Sequence, residues 1–228
     1  MPTREAFHAD LAELERDIVR LAVEVKERIA RAVGALARGD AVEGQAVAQE
    51  DRSIDLRELD LERACLRLLV LQQPLAGDMR AIGAALRILI DLERIADHAA
   101  GIGRTAVRLR ADPPPPAPAE PHLAGWREAL PRMAEIAQEM VAQAVDAYVR
   151  RDEAAARALA ARDDDVDHLF SQVFSGLVGE IGRRPETAHR GTHLLFAASH
   201  LERIADHATN VAEAVIYAVT GERPELNA

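Results

Sequence analysis

Cysteine is almost missing from this chain: Cys65 is alone among 228 residues. A single thiol excludes an internal disulfide and fits a reducing compartment. Cys65 lies in an apolar helical stretch, so its expected role is core packing. Aromatic residues are scarce, at 3%. β-branched runs are short and period-two alternation is rare, which argues against strands. Basic residues are the minority, 28 against 38 acidic ones, for a net charge of −10. That balance argues against nonspecific nucleic-acid binding and against adhesion to an anionic membrane surface. No apolar run approaches the roughly 18 residues of a membrane span, and the opening Met1-Pro2-Thr3-Arg4-Glu5-Ala6-Phe7-His8 carries no signal-peptide core. The expectation is a soluble, cytoplasmic protein that meets membranes only through partners. Phosphate loops, dinucleotide fingerprints, His-Glu-x-x-His helices and nucleophile elbows are also lacking.

What is present is alanine, leucine and a repeat. Leu92-Glu93-Arg94-Ile95-Ala96-Asp97-His98-Ala99 returns unchanged as Leu201-Glu202-Arg203-Ile204-Ala205-Asp206-His207-Ala208. The offset of 109 residues is too long for a solenoid unit and suits two copies of one small domain. Helical periodicity predicts three long helices per copy. In the first they span about 3–37, 41–72 and 77–110; in the second, about 123–151, 152–182 and 185–220. Gly39, Pro74, Pro185 and Gly221 punctuate them, Asp40 and Asp152 serve as N-caps, and Pro131 should kink the fourth helix or mark its start. Residues 222–228 are expected to be loose. The fold class is therefore all-α, two tandem pseudo-symmetric three-helix bundles over 1–111 and 123–228, joined by a proline-rich linker over 112–122.

At about 100° per residue, Glu93 and Asp97 fall about 40° apart, on the same side as Leu86, Leu89, Ile90, Ala96 and Ala100. Arg87, Asp91, Arg94, His98 and Thr105 gather opposite, on the expected outer arc. Glu202 and Asp206 repeat the pattern. Asp51 and Asp55, and again Asp163 and Asp167, form carboxylate pairs on the preceding helix of each copy. Each pair lies about 20 residues from the intervening turn, so antiparallel packing brings four inward carboxylates to one level in each half. Such a cage must be neutralised. A multinuclear centre of hard cations would do it, and carboxylates suit magnesium, manganese, calcium, iron and zinc. His98 and His207 stand as peripheral ligands at most. Two readings compete: an arginine–carboxylate network using Arg87, Arg94, Arg104 and Arg203, and plain hydration at a groove edge. The spacing Glu-x-x-x-Asp-His does not match the Glu-x-x-His of ferritin-like di-iron proteins.

These motifs, together with Asp51-Arg52-Ser53-Ile54-Asp55, Asp163 to Asp167 and the Gln73-Pro74-Leu75-Ala76-Gly77-Asp78-Met79-Arg80 turn, resemble the PhoU family of phosphate-uptake regulators over essentially the whole chain. The resemblance implies two similar three-helix bundles whose acidic motifs bind iron, zinc or other divalent metals. It implies a non-enzymatic, cytoplasmic negative regulator of the Pho regulon. Such a protein connects the ATPase PstB of the phosphate ABC transporter with the sensor kinase PhoR, commonly as a homodimer. The chain departs from the pattern at Gly101, which stands where the second motif has Asn210. It departs again at Glu58 and Glu62, which correspond to Phe170 and Phe174. The competing functions are a dinuclear metallohydrolase or phosphatase, which would need an open coordination position, and a metal-free helical scaffold.

Overall fold

The computed structural model describes residues 4–72, 74–111 and 124–227. The expected linker, residues 112–122, lies outside them. α1 runs Arg4–Arg38, α2 Ala41–Gln49, α3 Asp51–Gln72 and α4 Ala76–Ala111. α5 runs Ala124–Arg150 and continues through Pro131, α6 runs Glu153–Arg157 and α7 Leu159–Arg183. A single 3-10 turn, Pro185–Thr187, leads into α8, Ala188–Thr220. The described residues contain no strand.

α1 buries one face at three- and four-residue steps: Leu11, Leu14, Ile18, Leu21, Val25, Ile29, Ala32 and Leu36 are all in the core. Each aliphatic side chain so buried contributes about 1.5–3 kcal/mol. Gly39 ends the helix at φ +65°, and the Asp40 carboxylate caps α2 by accepting from the amides of Val42 and Glu43. The second copy uses the same corner. Arg151 takes the left-handed conformation at φ 53° and Asp152 caps α6 through the Ala155 amide. Cys65 is a core residue, as expected, and so are Trp126 and Tyr148.

Each predicted second helix is in fact two. The expected 41–72 helix breaks at Glu50, and 152–182 breaks at Ala158. At the first break Arg31 grips the Glu50 carboxylate at 2.6 and 3.0 Å and Glu43 at 2.6 Å. Ser53 donates from both its amide and its hydroxyl to the Glu50 carbonyl, tightening the chain to a three-residue step. These bonds come from another helix and from a local turn, which periodicity does not register. Pairing with α4 is close enough that a Cβ on Gly44 would stand 2.7 Å from the Gly103 carbonyl oxygen.

α4 and α8 form the centre of the molecule and pack along each other. This corrects the expected outer arc of α4. Asp91 and His98 are largely covered and Thr105 is buried, donating to the Gly101 carbonyl at 3.1 Å. Apart from the exposed Arg94, their polar arc is not a solvated face, because α8 of the second copy covers it. The expectation for the end of the chain is corrected as well. Gly221, at φ +83°, turns the chain back along α8, where the Leu226 amide donates to Glu213 at 2.7 Å and Leu226 packs against the core.

Candidate metal centres

The two acidic clusters lie where the helix pairs α3/α4 and α7/α8 meet. In the second copy, Asp163, Asp167, Glu202 and Asp206 share one neighbourhood. Burial pushes the Asp163 carboxyl up to about 7, reinforced by Asp206, Asp167, Asp164 and Glu202. Asp163 is 6% exposed and its Oδ1 has no hydrogen-bond partner among the described residues. Burial likewise raises Asp167, Glu202 and Asp206, with Asp206 adding to the rise of the first two and Asp167 to that of Glu202.

In the first copy, burial raises Glu93, followed by repulsion from Asp97 and, more weakly, from Asp55 and Glu58. Glu58 is raised by burial and then by Glu62 and Asp55. Glu58 is thus a member of the first cluster that the predicted ligand set omits. Its partner by repeat, Phe170, stacks near Phe174 at 6.1 Å, so the two sites have different flanks. The side chain of Asp51 lies outside the described residues.

Depth is the main correction. The carboxylates do not face the core of each bundle. Asp55 and Asp167 are exposed, the Glu93 and Glu202 side chains keep 24% and 26% of their surface, and among the described carboxylates of the two sets only Asp163 is buried. The acids line the rim of each helix pair, next to the apolar stripe and not inside it, since the wheel cannot say how far a neighbour extends over the stripe's edge. Ile90, predicted on the same arc, is 54% exposed for the same reason.

The arginine reading fares poorly. Arg94 approaches Glu93 at 3.5 Å and Asp97 at 3.9 Å, and Arg203 approaches Glu202 at 3.8 Å. These guanidinium groups lie alongside the motif and not away from it, but they are loosely placed and well exposed. Repulsion and burial outweigh them at Glu93 and Glu202. The Arg104 charge, after burial, helps hold His200 below the usual imidazole range. His98 and His207, weighed as peripheral ligands, sit in the junction between the copies. His98 lies 3.1 Å from His200 and His207 lies 2.9 Å from Asp91, nitrogen to nitrogen and nitrogen to carboxylate oxygen.

The donor set suits a hard cation: crowded carboxylates, with Glu93, Asp163, Asp167, Glu202 and Asp206 held above their usual range and Asp163 buried with an unsatisfied oxygen. As placed, no three His, Cys, Asp or Glu side chains among the described residues already converge into a cage. Holding an ion would therefore need rotation of exposed side chains such as Asp55 and Asp167.

The model of the PhoU domain matches residues 18–106 and again 130–215. The chain belongs to the PhoU family. Relatives named phosphate-specific transport system accessory protein PhoU homolog are similar along nearly their whole length. The one from Caulobacter vibrioides is 35% identical over 99% of this chain and 96% of its own. The one from Aquifex aeolicus is 38% identical over 93% of this chain and 92% of its own. The crystal structure of PhoU from Pseudomonas aeruginosa superposes with a TM-score of 0.86 at 31% identity, covering 95% of this chain and all of that one. PhoU from Streptococcus pneumoniae gives 0.86 at 28%, covering 96% and 99%. The two PhoU matches each contain one acidic cluster, so each cluster belongs to one copy of the domain.

One contact at the second PhoU cluster has no signature in the motif. Asn227 donates to Asp206 Oδ1 at 3.4 Å, reaching back from the segment after α8. Its only sequence signals are the Gly221 turn and the single apolar Leu226 beyond it.

Proposed function

We propose that this protein is a non-enzymatic accessory regulator of phosphate transport, a negative regulator of phosphate-starvation signalling. In this reading it docks on the phosphate transporter's ATPase, PstB, and on the sensor kinase, PhoR, working in the cytoplasm as a homodimer. The observation that carries the reading is the near full-length likeness to phosphate transport accessory proteins, with a carboxylate cluster in each PhoU match.

In this reading Asp51, Asp55, Glu93 and Asp97 hold cations in the first copy, and Asp163, Asp167, Glu202 and Asp206 in the second. Iron, zinc, manganese and magnesium suit these oxygen donors. A bound ion would neutralise the acids and fasten α3 to α4 and α7 to α8. Binding supplies α-helix pairing, not turnover. The relatives' names describe accessory proteins, which supports a role without catalysis.

Pull-down with the transporter ATPase and the kinase sensor domain tests the adaptor role. Retention of both by the wild-type protein is expected; retention of neither overturns it. Steady hydrolysis of phosphomonoesters that disappears in Glu93→Ala would instead install the metallohydrolase reading.

A further inference from the structure

α4 and α8 cross with a pseudo-twofold relation between the two motifs, and its contacts come in mirrored sets. On one side, His207 and Asn210 of α8 both approach Asp91 Oδ1 of α4, at 2.9 and 3.4 Å. The same 109-residue offset relates Asp91 to His200, His98 to His207 and Gly101 to Asn210. On the other side, accordingly, His98 of α4 meets His200 of α8, with the two Nδ1 atoms 3.1 Å apart. His98 and His207 stack on each other at the centre, 5.5 Å between centroids. The side chain that would complete the mirror, an asparagine at 101, is missing. A Cβ at Gly101 would stand under 3.0 Å from three atoms of the His200 ring. Real Cβ atoms do not come that close, and the His200 ring is half-buried and engaged at Nδ1 by His98.

We propose that Gly101 and His200 are a matched pair: glycine makes room for an imidazole on α8, replacing at one of two mirrored contacts the asparagine–aspartate pairing kept at Asn210 and Asp91. The junction is thereby one-directional. One contact is an anion held by His207 and Asn210. The other is a pair of imidazoles with no room for a side chain at 101. His200 and Asp91 act as positioning residues, each seated in the pocket beside the opposite motif. They set the register of α4 against α8, and with it the placement of the two acidic rims. This does not depend on cations being bound.

The two Nδ1 atoms also carry a constraint. At 3.1 Å one must donate and the other accept, so one ring holds its proton on Nδ1 and the other on Nε2.

A thermal double-mutant cycle tests the pairing. Gly101→Ala alone is expected to lower Tm by about 5 °C or more. In a His200→Ala background, where the ring is gone, the same change should cost about 1 °C or nothing. Failure of Gly101→Ala to fold, with recovery in Gly101→Ala/His200→Ala, is the same supporting result. An equal loss of Tm in both backgrounds overturns the pairing. The exchange Gly101→Asn/His200→Asp, which restores the mirrored chemistry, should be more stable than either single change. Nitrogen-15 imidazole spectra assigned to His98 and His200 should show one of these two rings protonated on Nδ1 and the other on Nε2, beside the Nδ1-protonated His207 that donates to Asp91. Two rings both protonated on Nε2 would contradict the contact.

Discussion

Asp163 shows most clearly how a single residue can be placed against its own stability. Its carboxyl titrates near 7 in the folded chain because burial and four acidic neighbours oppose its charge, while the unfolded value is about 3.9. A group whose folded value is raised contributes stability below its unfolded value and loses it as pH climbs through the folded one. Asp163→Asn should therefore raise Tm of the cation-free protein by several degrees at pH 8, with the advantage shrinking toward pH 4, in thermal melts across that range. His98 works in the opposite direction. Burial, then His200 and His207, holds it down to about 4, so its contribution is present above about 6.5 and lost as pH falls through 4. His98→Gln should flatten the acid limb of the same melts. Buried groups that oppose stability mark functional positions, and the same asparagine that stabilises the cation-free chain should abolish cation-dependent stabilisation at the second site.

At the scale of elements, the paired corners make a sharper comparison than any single helix. Gly39 and Arg151 occupy equivalent left-handed positions before equivalent aspartate caps, yet one is glycine and the other carries a side chain. Arg151→Gly should stabilise the second corner by about 0.5–1 kcal/mol in denaturant titrations. The reason is that Arg151 offers in return only a half-exposed 3.3 Å ion pair with Glu15. A destabilised variant would show that this ion pair outweighs backbone strain. The corners, caps and buried stripes were legible in the sequence because they are local: a glycine, an aspartate and a three-four spacing each specify their own neighbourhood. The breaks at Glu50 and Ala158 were not, because the first is fixed by Arg31 reaching from α1. The acids of the second copy were legible at the right level, where Asp163, Asp167, Glu202 and Asp206 share one neighbourhood. Their shallowness was not, since it depends on where a neighbouring helix stops covering the rim. The polar arc of α4 was misread for a related reason: a wheel separates apolar from polar, and a polar face buried by a second copy of the same motif looks like a solvated one.

For the whole molecule, the two halves are alike in plan and unlike in detail. The first cluster extends through Glu58 toward Glu62, and the second gives way to Phe170 and Phe174 and receives Asn227. Removing residues 222–227 should free Asp206 and tighten cation binding at the second cluster while leaving the first unchanged, read by manganese titration of the shortened chain. Equal affinities before and after would leave the segment a packing element only. No helix among the described residues is long and apolar enough to cross a membrane. The central claim is that the paired carboxylates exist to hold cations. Elemental analysis of protein purified without chelator, wild type beside Asp97→Ala/Asp206→Ala, tests it directly. The account predicts bound metal in the wild type and its near-complete loss in the double variant, with helicity retained. A wild type free of metal, or an unchanged metal content in the double variant, would contradict it.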